Sequence, residues 1–89
     1  MSYNINTTSV DIVTSTTLMP ENNYGAWLAI NTGTAVATVL GYDLQPGEGL
    51  SSELICHLEP GDIWKSPIQI ILSAGAKVRI TRSQATPII

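Results

Sequence analysis

The sequence predicts an all-β chain, a small antiparallel β-sandwich or jelly-roll-like barrel of about seven or eight short strands. Three observations point there. β-Branched residues are abundant, and no window of eleven residues holds apolar groups at the 3.6-residue period of a helix. Turn signals recur at the spacing of short strands, about every 8–12 residues. Two of them, Gln45-Pro46-Gly47-Glu48 and Glu59-Pro60-Gly61-Asp62, share the chemistry of a type II turn, with Pro fixing φ at the second position and Gly supplying positive φ at the third.

Residues 1–8 (MSYNINTT) are polar and uncharged and read as an arm or a first edge strand. Val10, Ile12 and Thr14 then share one side of an alternating stretch, and Ser15 to Leu18 continues in β-favouring residues. Met19-Pro20-Glu21-Asn22-Asn23 breaks that run. Trp27–Asn31 and Ala35–Gly41, joined by Thr32-Gly33-Thr34, read as a β-hairpin. Its strands are apolar on both faces, as for strands covered on both sides, so Ala26–Gly49 is expected to form the central sheet. Tyr42-Asp43-Leu44 is a short extended piece.

Between the Pro-Gly turns, Ser51–Leu58 reads as a strand in which Leu54, Cys56 and Leu58 alternate with Glu53, Ile55 and His57. Ile63-Trp64 is expected as a short strand interrupted by Ser66-Pro67, and Ile68–Ser73 as a strongly apolar one. Ala74-Gly75 turns the chain into Lys77–Arg82, with Val78 and Ile80 inward and Lys77, Arg79 and Thr81 outward. Residues 83–89 read as a tail ending on Pro87, Ile88 and Ile89.

Length and composition bound the function. Residues 1–89 make one domain, which buries only about 60–65% of the surface its unfolded chain exposes. Cys56, the only cysteine, cannot form an internal disulfide, and no spacing suggests a structural metal. Hydrophobic residues make up 44% of the chain and charged ones 12%, so some apolar surface is available to a partner and self-association is expected. All seven acidic residues precede Trp64 and all four basic ones follow it. Either strands from the two parts neutralise each other within one subunit, or complementary patches dock neighbouring copies. A net charge of −3 argues against nucleic acid as a partner. No apolar run approaches the roughly 20 residues needed to span a bilayer. Met1-Ser2-Tyr3-Asn4 lacks the opening of a secretory signal, so synthesis in the cytoplasm is expected.

No constellation carries chemistry. His57 is the only histidine, and the nearby Glu59 and Asp62 lie across a Pro-Gly turn, a poor arrangement for the three or four convergent ligands of a metal site. On a regular strand Cys56 and His57 project to opposite faces, which makes a Cys–His dyad geometrically poor and leaves Cys56 as a small buried hydrophobe. No GxSxG elbow is present, and Gly47-Glu48-Gly49 lacks the Lys and the helix of a phosphate loop. No catalytic, cofactor-binding or metal-ligating residue is therefore assigned, and no enzyme activity is expected. Trp27 and Trp64, with Tyr3, Tyr24 and Tyr42, could form a sugar-stacking platform; as core anchors the tryptophans would not be free to do so.

The segments Thr14–Pro20 (TSTTLMP), Trp27–Gly33 (WLAINTG), Val39-Leu40-Gly41, Leu44–Leu50 (LQPGEGL) and Val78–Thr81 (VRIT) run in an order that resembles the small all-β proteins and modules of tailed-bacteriophage virions. Those read as a β-rich start ending in a Leu-Pro step, an I-x-N-x-G strand end, a V-x-G strand, an L-x-P-G-E turn and a closing V-x-V/I strand. Met19 before the proline and the apolar Ile63–Ile71 segment depart from that pattern. The resemblance implies a non-enzymatic virion protein, a head decoration, auxiliary capsid or fiber-associated module, often trimeric. Its partners would be the major capsid protein or another virion protein, and copies of itself. A carbohydrate- or receptor-binding module of a phage tail or fiber is the alternative. The expected contact residues are Tyr3, Ile5, Lys77, Arg79, Pro87, Ile88 and Ile89, from the two arms and the late basic strand.

Overall fold

Eight strands in two four-stranded antiparallel sheets make up the fold, in a computed structural model that describes residues 3–19, 25–59 and 62–87. In chain order they are β1 (Tyr3–Ile12), β2 (Thr16–Leu18), β3 (Trp27–Asn31), β4 (Ala37–Val39), β5 (Tyr42–Leu44), β6 (Gly49–Ser51), β7 (Ile68–Leu72) and β8 (Val78–Pro87), with one helical turn, α1 (Ser52–Ile55), after β6. One sheet has the order β1-β8-β3-β6 and the other β2-β7-β4-β5. The first strand pairs with the last, the second with the seventh, the third with the sixth and the fourth with the fifth. That is one long antiparallel ribbon wound on itself, and β3·β8 and β4·β7 are the pairings the winding adds. The architecture is a jelly roll.

The two sheets face each other across a core drawn from both. Ile12, Trp27, Ala29, Leu50, Val78 and Ile80 come from one side and Ala37, Val39, Leu44, Ile68 and Ile70 from the other. Strand periodicity decides which residues enter it. Val10, Ile80, Ala29 and Leu50 stand in one inward row across the first sheet, while Ser9, Thr81, Leu28 and Ser51 form the outward row beside it.

The tightest turn is the two-residue link between β4 and β5. Leu40 and Gly41 both take positive φ (51° and 82°), which matches the twist of the flanking strands. Gly47, at φ 88°, completes the expected Pro-Gly turn, closed by Glu48 N donating to Gln45 O at 2.9 Å. Asp62 N donating to Glu59 O at 3.0 Å closes the second.

Five expectations are corrected. β3 and β4 are not a hairpin: they lie in opposite sheets, and Thr32–Val36 is the corner between them. The physical reason is Asn31, whose side chain is fully buried where alternation alone would place an apolar residue. Its Nδ2 donates to Ala35 O (2.7 Å) and Leu44 O (2.9 Å), and its Oδ1 accepts from Gly33 N (3.0 Å). Thr32 N and Gly33 N both donate to Lys77 O, so the chain docks on the β7–β8 turn rather than folding back on β3.

Ser51–Leu58 is not a strand beyond Ser51. Ser51 Oγ accepts from Leu54 N (3.4 Å), an N-cap that tips the chain into α1. Leu54 and Cys56 consequently face solvent, and Cys56 is not the buried hydrophobe expected. Ile63-Trp64 forms no strand. Residues 83–87 are not a tail but the second half of β8, hydrogen-bonded to the first half of β1, so the polar start is an edge strand rather than a free arm.

Candidate functional site

The pairing of β1 with β8 runs through ten residue pairs, from Tyr3 opposite Pro87 to Ile12 opposite Val78. β3 covers the other side of β8 from Val78 to Arg82, and Gly25 and Ala26 reach Ser83 through Gly25 N→Ser83 O and Ser83 N→Ala26 O. Beyond that point the sheet narrows to two strands. Residues 3–7 and 83–87 form a ribbon that leaves the sandwich and extends roughly 17 Å at strand rise. It contributes to the elongated outline, 47 Å long and 19 Å across.

Asn4 to Val10 are all exposed, and Ile5 is 60% so. Residues 3–10 carry no charge, proline or glycine. The outer side of β1 is the edge of its sheet, and among the described residues no backbone hydrogen bond reaches it from that side. Native edge strands are usually blunted by lysine, proline, a bulge or a covering segment. This one carries none of them before Asp11.

Asp11 closes the neutral stretch and is held within the chain. Arg79 Nε donates to its Oδ1 at 3.0 Å, and Lys77 Nζ lies 3.7 Å from Oδ2. The hydrogen bond from Arg79, with the nearby positive charge, keeps the Asp11 carboxyl below its ordinary value and the guanidinium above its own. Next along the strand, Ser9 Oγ and Thr81 Oγ1 are 2.9 Å apart. Acidic and basic parts of the sequence thus meet across neighbouring strands of one subunit. Asp11 is one of the seven acidic residues expected to meet the basic part within one subunit or across copies, but it was not singled out, although its position one strand across from the only basic stripe follows from pairing the first strand with the last.

Of the expected contact residues, the fold brings Tyr3 and Pro87 opposite each other at the end of the ribbon and Ile5 opposite Ala85 two pairs in. Lys77 and Arg79 lie at the other end of the same strand pair, engaged with Asp11. Ile88 and Ile89 lie outside the described residues. The ribbon therefore gathers the described parts of both expected arms, residues 3–7 and 83–87, into one element. Thr7 and Thr8 belong to the expected arm 1–8 without being singled out in it, and Ser9, also in the middle of the exposed edge, lies just beyond it; short polar β-formers give no amphipathic signal.

Two other clusters are distinct from the ribbon. Trp27 is buried, 4% exposed, with its ring perpendicular to that of Trp64 (centroids 5.3 Å apart, planes at 86°), and its Nε1 has no hydrogen-bond partner among the described residues. Trp27 so placed anchors the core, with Trp64 half-buried against it. On the surface, His57 is clasped by Glu53 (Nδ1–Oε1 2.5 Å) and Glu59 (Nε2–Oε1 3.1 Å). These hydrogen bonds, Glu53 first, raise the imidazole above its ordinary value. The carboxylates approach opposite nitrogens of the ring, so they do not converge on a point where a metal could sit, and no metal-holding group of His, Cys, Asp or Glu occurs among the described residues.

The fold and this edge define a small all-β jelly roll with a projecting two-stranded ribbon. Comparison with family models, with curated proteins and with solved structures finds no match to the chain.

Proposed function

We propose that the protein is a non-enzymatic structural component of a tailed-phage virion, a decoration or auxiliary module that binds the head surface through the major capsid protein or another virion protein and associates with copies of itself. The observation that carries the reading is the projecting, neutral β1–β8 ribbon, whose open backbone edge suits the association between copies that the reading includes. The jelly roll supports it by analogy, since viral capsid domains use this architecture, though lectins and cupins do as well. The motifs that resemble phage modules also have structural work to do in this chain: Asn31 and Gly33 of the I-x-N-x-G segment make the corner, and Gly47 of the L-x-P-G-E segment makes the turn.

The test is direct. Virions purified from the phage whose genome carries the gene should contain the chain in a fixed ratio to the major capsid protein, and added protein should co-sediment with heads that lack it. Its absence from such particles, with no binding to the heads, overturns the proposal.

A further inference from the structure

We infer that the free edge of β1 pairs with the same edge of a second copy, antiparallel, across a two-fold axis that passes through Thr7. The inference deepens the self-association in the reading above and rests on it.

A two-fold axis perpendicular to the sheet is the one that sets two identical edges side by side and antiparallel. It keeps the inward face of one copy level with the inward face of the other, so residues that pair across it must share the pleat. With Thr7 opposite Thr7 of the partner subunit, the edge is used from Tyr3 to Asp11. Tyr3 then stands opposite the partner's Asp11, Asn4 opposite the partner's Val10, Ile5 opposite the partner's Ser9, and Asn6 opposite the partner's Thr8. The two sheets of order β1-β8-β3-β6 join into one of eight strands.

Three features of the molecule favour a second copy over a foreign strand. First, the edge carries nothing for a foreign partner to read: no charge between residues 3 and 10, and side chains that are mostly Asn, Thr and Ser. Backbone groups dominate such a surface, and a copy of itself supplies matching ones. Second, Val10 belongs to the inward row, directly opposite the fully buried Ile80, and is nonetheless 39% exposed. Among the described residues nothing lies beyond it in the row; the partner's Asn4 takes that place. Third, charge does not oppose the pairing. The two copies of Asp11, eight residues apart in register, stand roughly 27 Å from each other at strand rise. Each is already engaged by Arg79 and Lys77 of its own chain. The contact is the same patch on both copies and builds pairs, so it predicts an even-numbered assembly where the resemblance implied a trimer.

Thr7 offers a self-referential test because it meets itself on the axis. The full chain is measured by sedimentation velocity across a concentration series. Dimerisation is expected for the wild type, weakened roughly tenfold by Thr7→Lys and by Thr7→Glu, each of which places like charges opposite one another. Mixing the two variants should restore a dimer containing one of each. In a Cys56→Ser background, Thr7→Cys should oxidise to a disulfide-linked dimer and Val13→Cys should not. Circular dichroism matching the wild type excludes misfolding as the cause. A wild type that stays monomeric overturns the inference. So does a dimer indifferent to both charges at residue 7, or single variants that weaken it without rescue on mixing. A dimer of the last two kinds leaves self-association standing, and the virion reading is decided separately by the content of the particles.

Discussion

The clearest test of how the fold is held is to remove the amide of Asn31. In Asn31→Ala two donated hydrogen bonds and one accepted one disappear from a fully buried side chain; Ala35 O and Leu44 O lose those bonds, while Gly33 N keeps Lys77 O. At about 1 kcal/mol net for each bond, with an added penalty for every buried group left unpaired, the expected cost is about 3–5 kcal/mol. For 89 residues, total stability is on the order of 4–13 kcal/mol, so the variant should lose a large part of it. Thermal unfolding followed by tryptophan fluorescence should show Tm lowered by at least about 12 °C, given about 4–8 °C per kcal/mol at this size. Asn6→Ala, on the exposed ribbon, is the control and should stay within about 0.5 kcal/mol of wild type. Asn31→Asp adds a signature. It keeps an acceptor but sets a buried carboxylate against two carbonyl oxygens, which raises the folded-state pKa above the unfolded one. Its deficit should be smallest at acid pH and grow as pH rises through the folded-state value. A loss below about 1 kcal/mol for Asn31→Ala would mean that the corner is held by something else, and the account of why β3 and β4 part company would fail.

Two further outcomes are expected from the same geometry. A Cβ at Gly33 would run into Gly75 O and Lys77 N and come within 2.8 Å of Ala76 C, all of them backbone, so Gly33→Ala should cost more than about 3 kcal/mol by chemical denaturation, and a variant within 1 kcal/mol would refute the close approach. The Glu53–His57–Glu59 clasp should hold the imidazolium: because the folded-state pKa is raised, its contribution is fully present below the unfolded value of about 6.5 and is lost as pH rises through the folded one. An NMR titration of the His57 ring should give a midpoint above 6.5 that falls in Glu53→Gln, and a midpoint insensitive to Glu53 counts against the clasp.

How much of this was legible in the residues depends on what each residue answers to. Val78 and Ile80 alternate with charged neighbours, so β8 could be read to its last buried position, and Gln45-Pro46-Gly47-Glu48 could be read as a turn because its third position needs the positive φ that Gly47 supplies. The hairpin reading of Trp27–Gly41 failed for a definite reason. Two apolar strands joined by a Gly-containing link satisfy the local rules for a hairpin and for a corner equally well, and the choice is made by Asn31, a buried polar side chain whose partners are four and thirteen residues away. Ser51 and Ser52 misled in the same way. Ser51 caps α1 and Ser52 Oγ accepts Trp27 N, so a stretch with strand-like alternation turns into helix. Asn31 could have been flagged, since a lone asparagine ending an inward row of Trp27 and Ala29 invites the question of what satisfies it.

The ribbon was obscure for a different reason. Alternation is written into a strand only where one face is buried and the other is not, and residues 4–7 have no layer beneath them. Their identities answer to solubility, to β propensity and to whatever lies along the edge, and the first two explain Asn, Ile and Thr without explaining why no lysine or proline protects ten residues of open strand. A free monomer would gain from such protection at little cost, because a single exposed lysine on β1 would disturb no core contact. That the sequence omits it, while two of its four basic residues are already engaged by Asp11 at the other end of the same strand pair, is the reason to look for the partner at the edge of β1 rather than at the basic stripe.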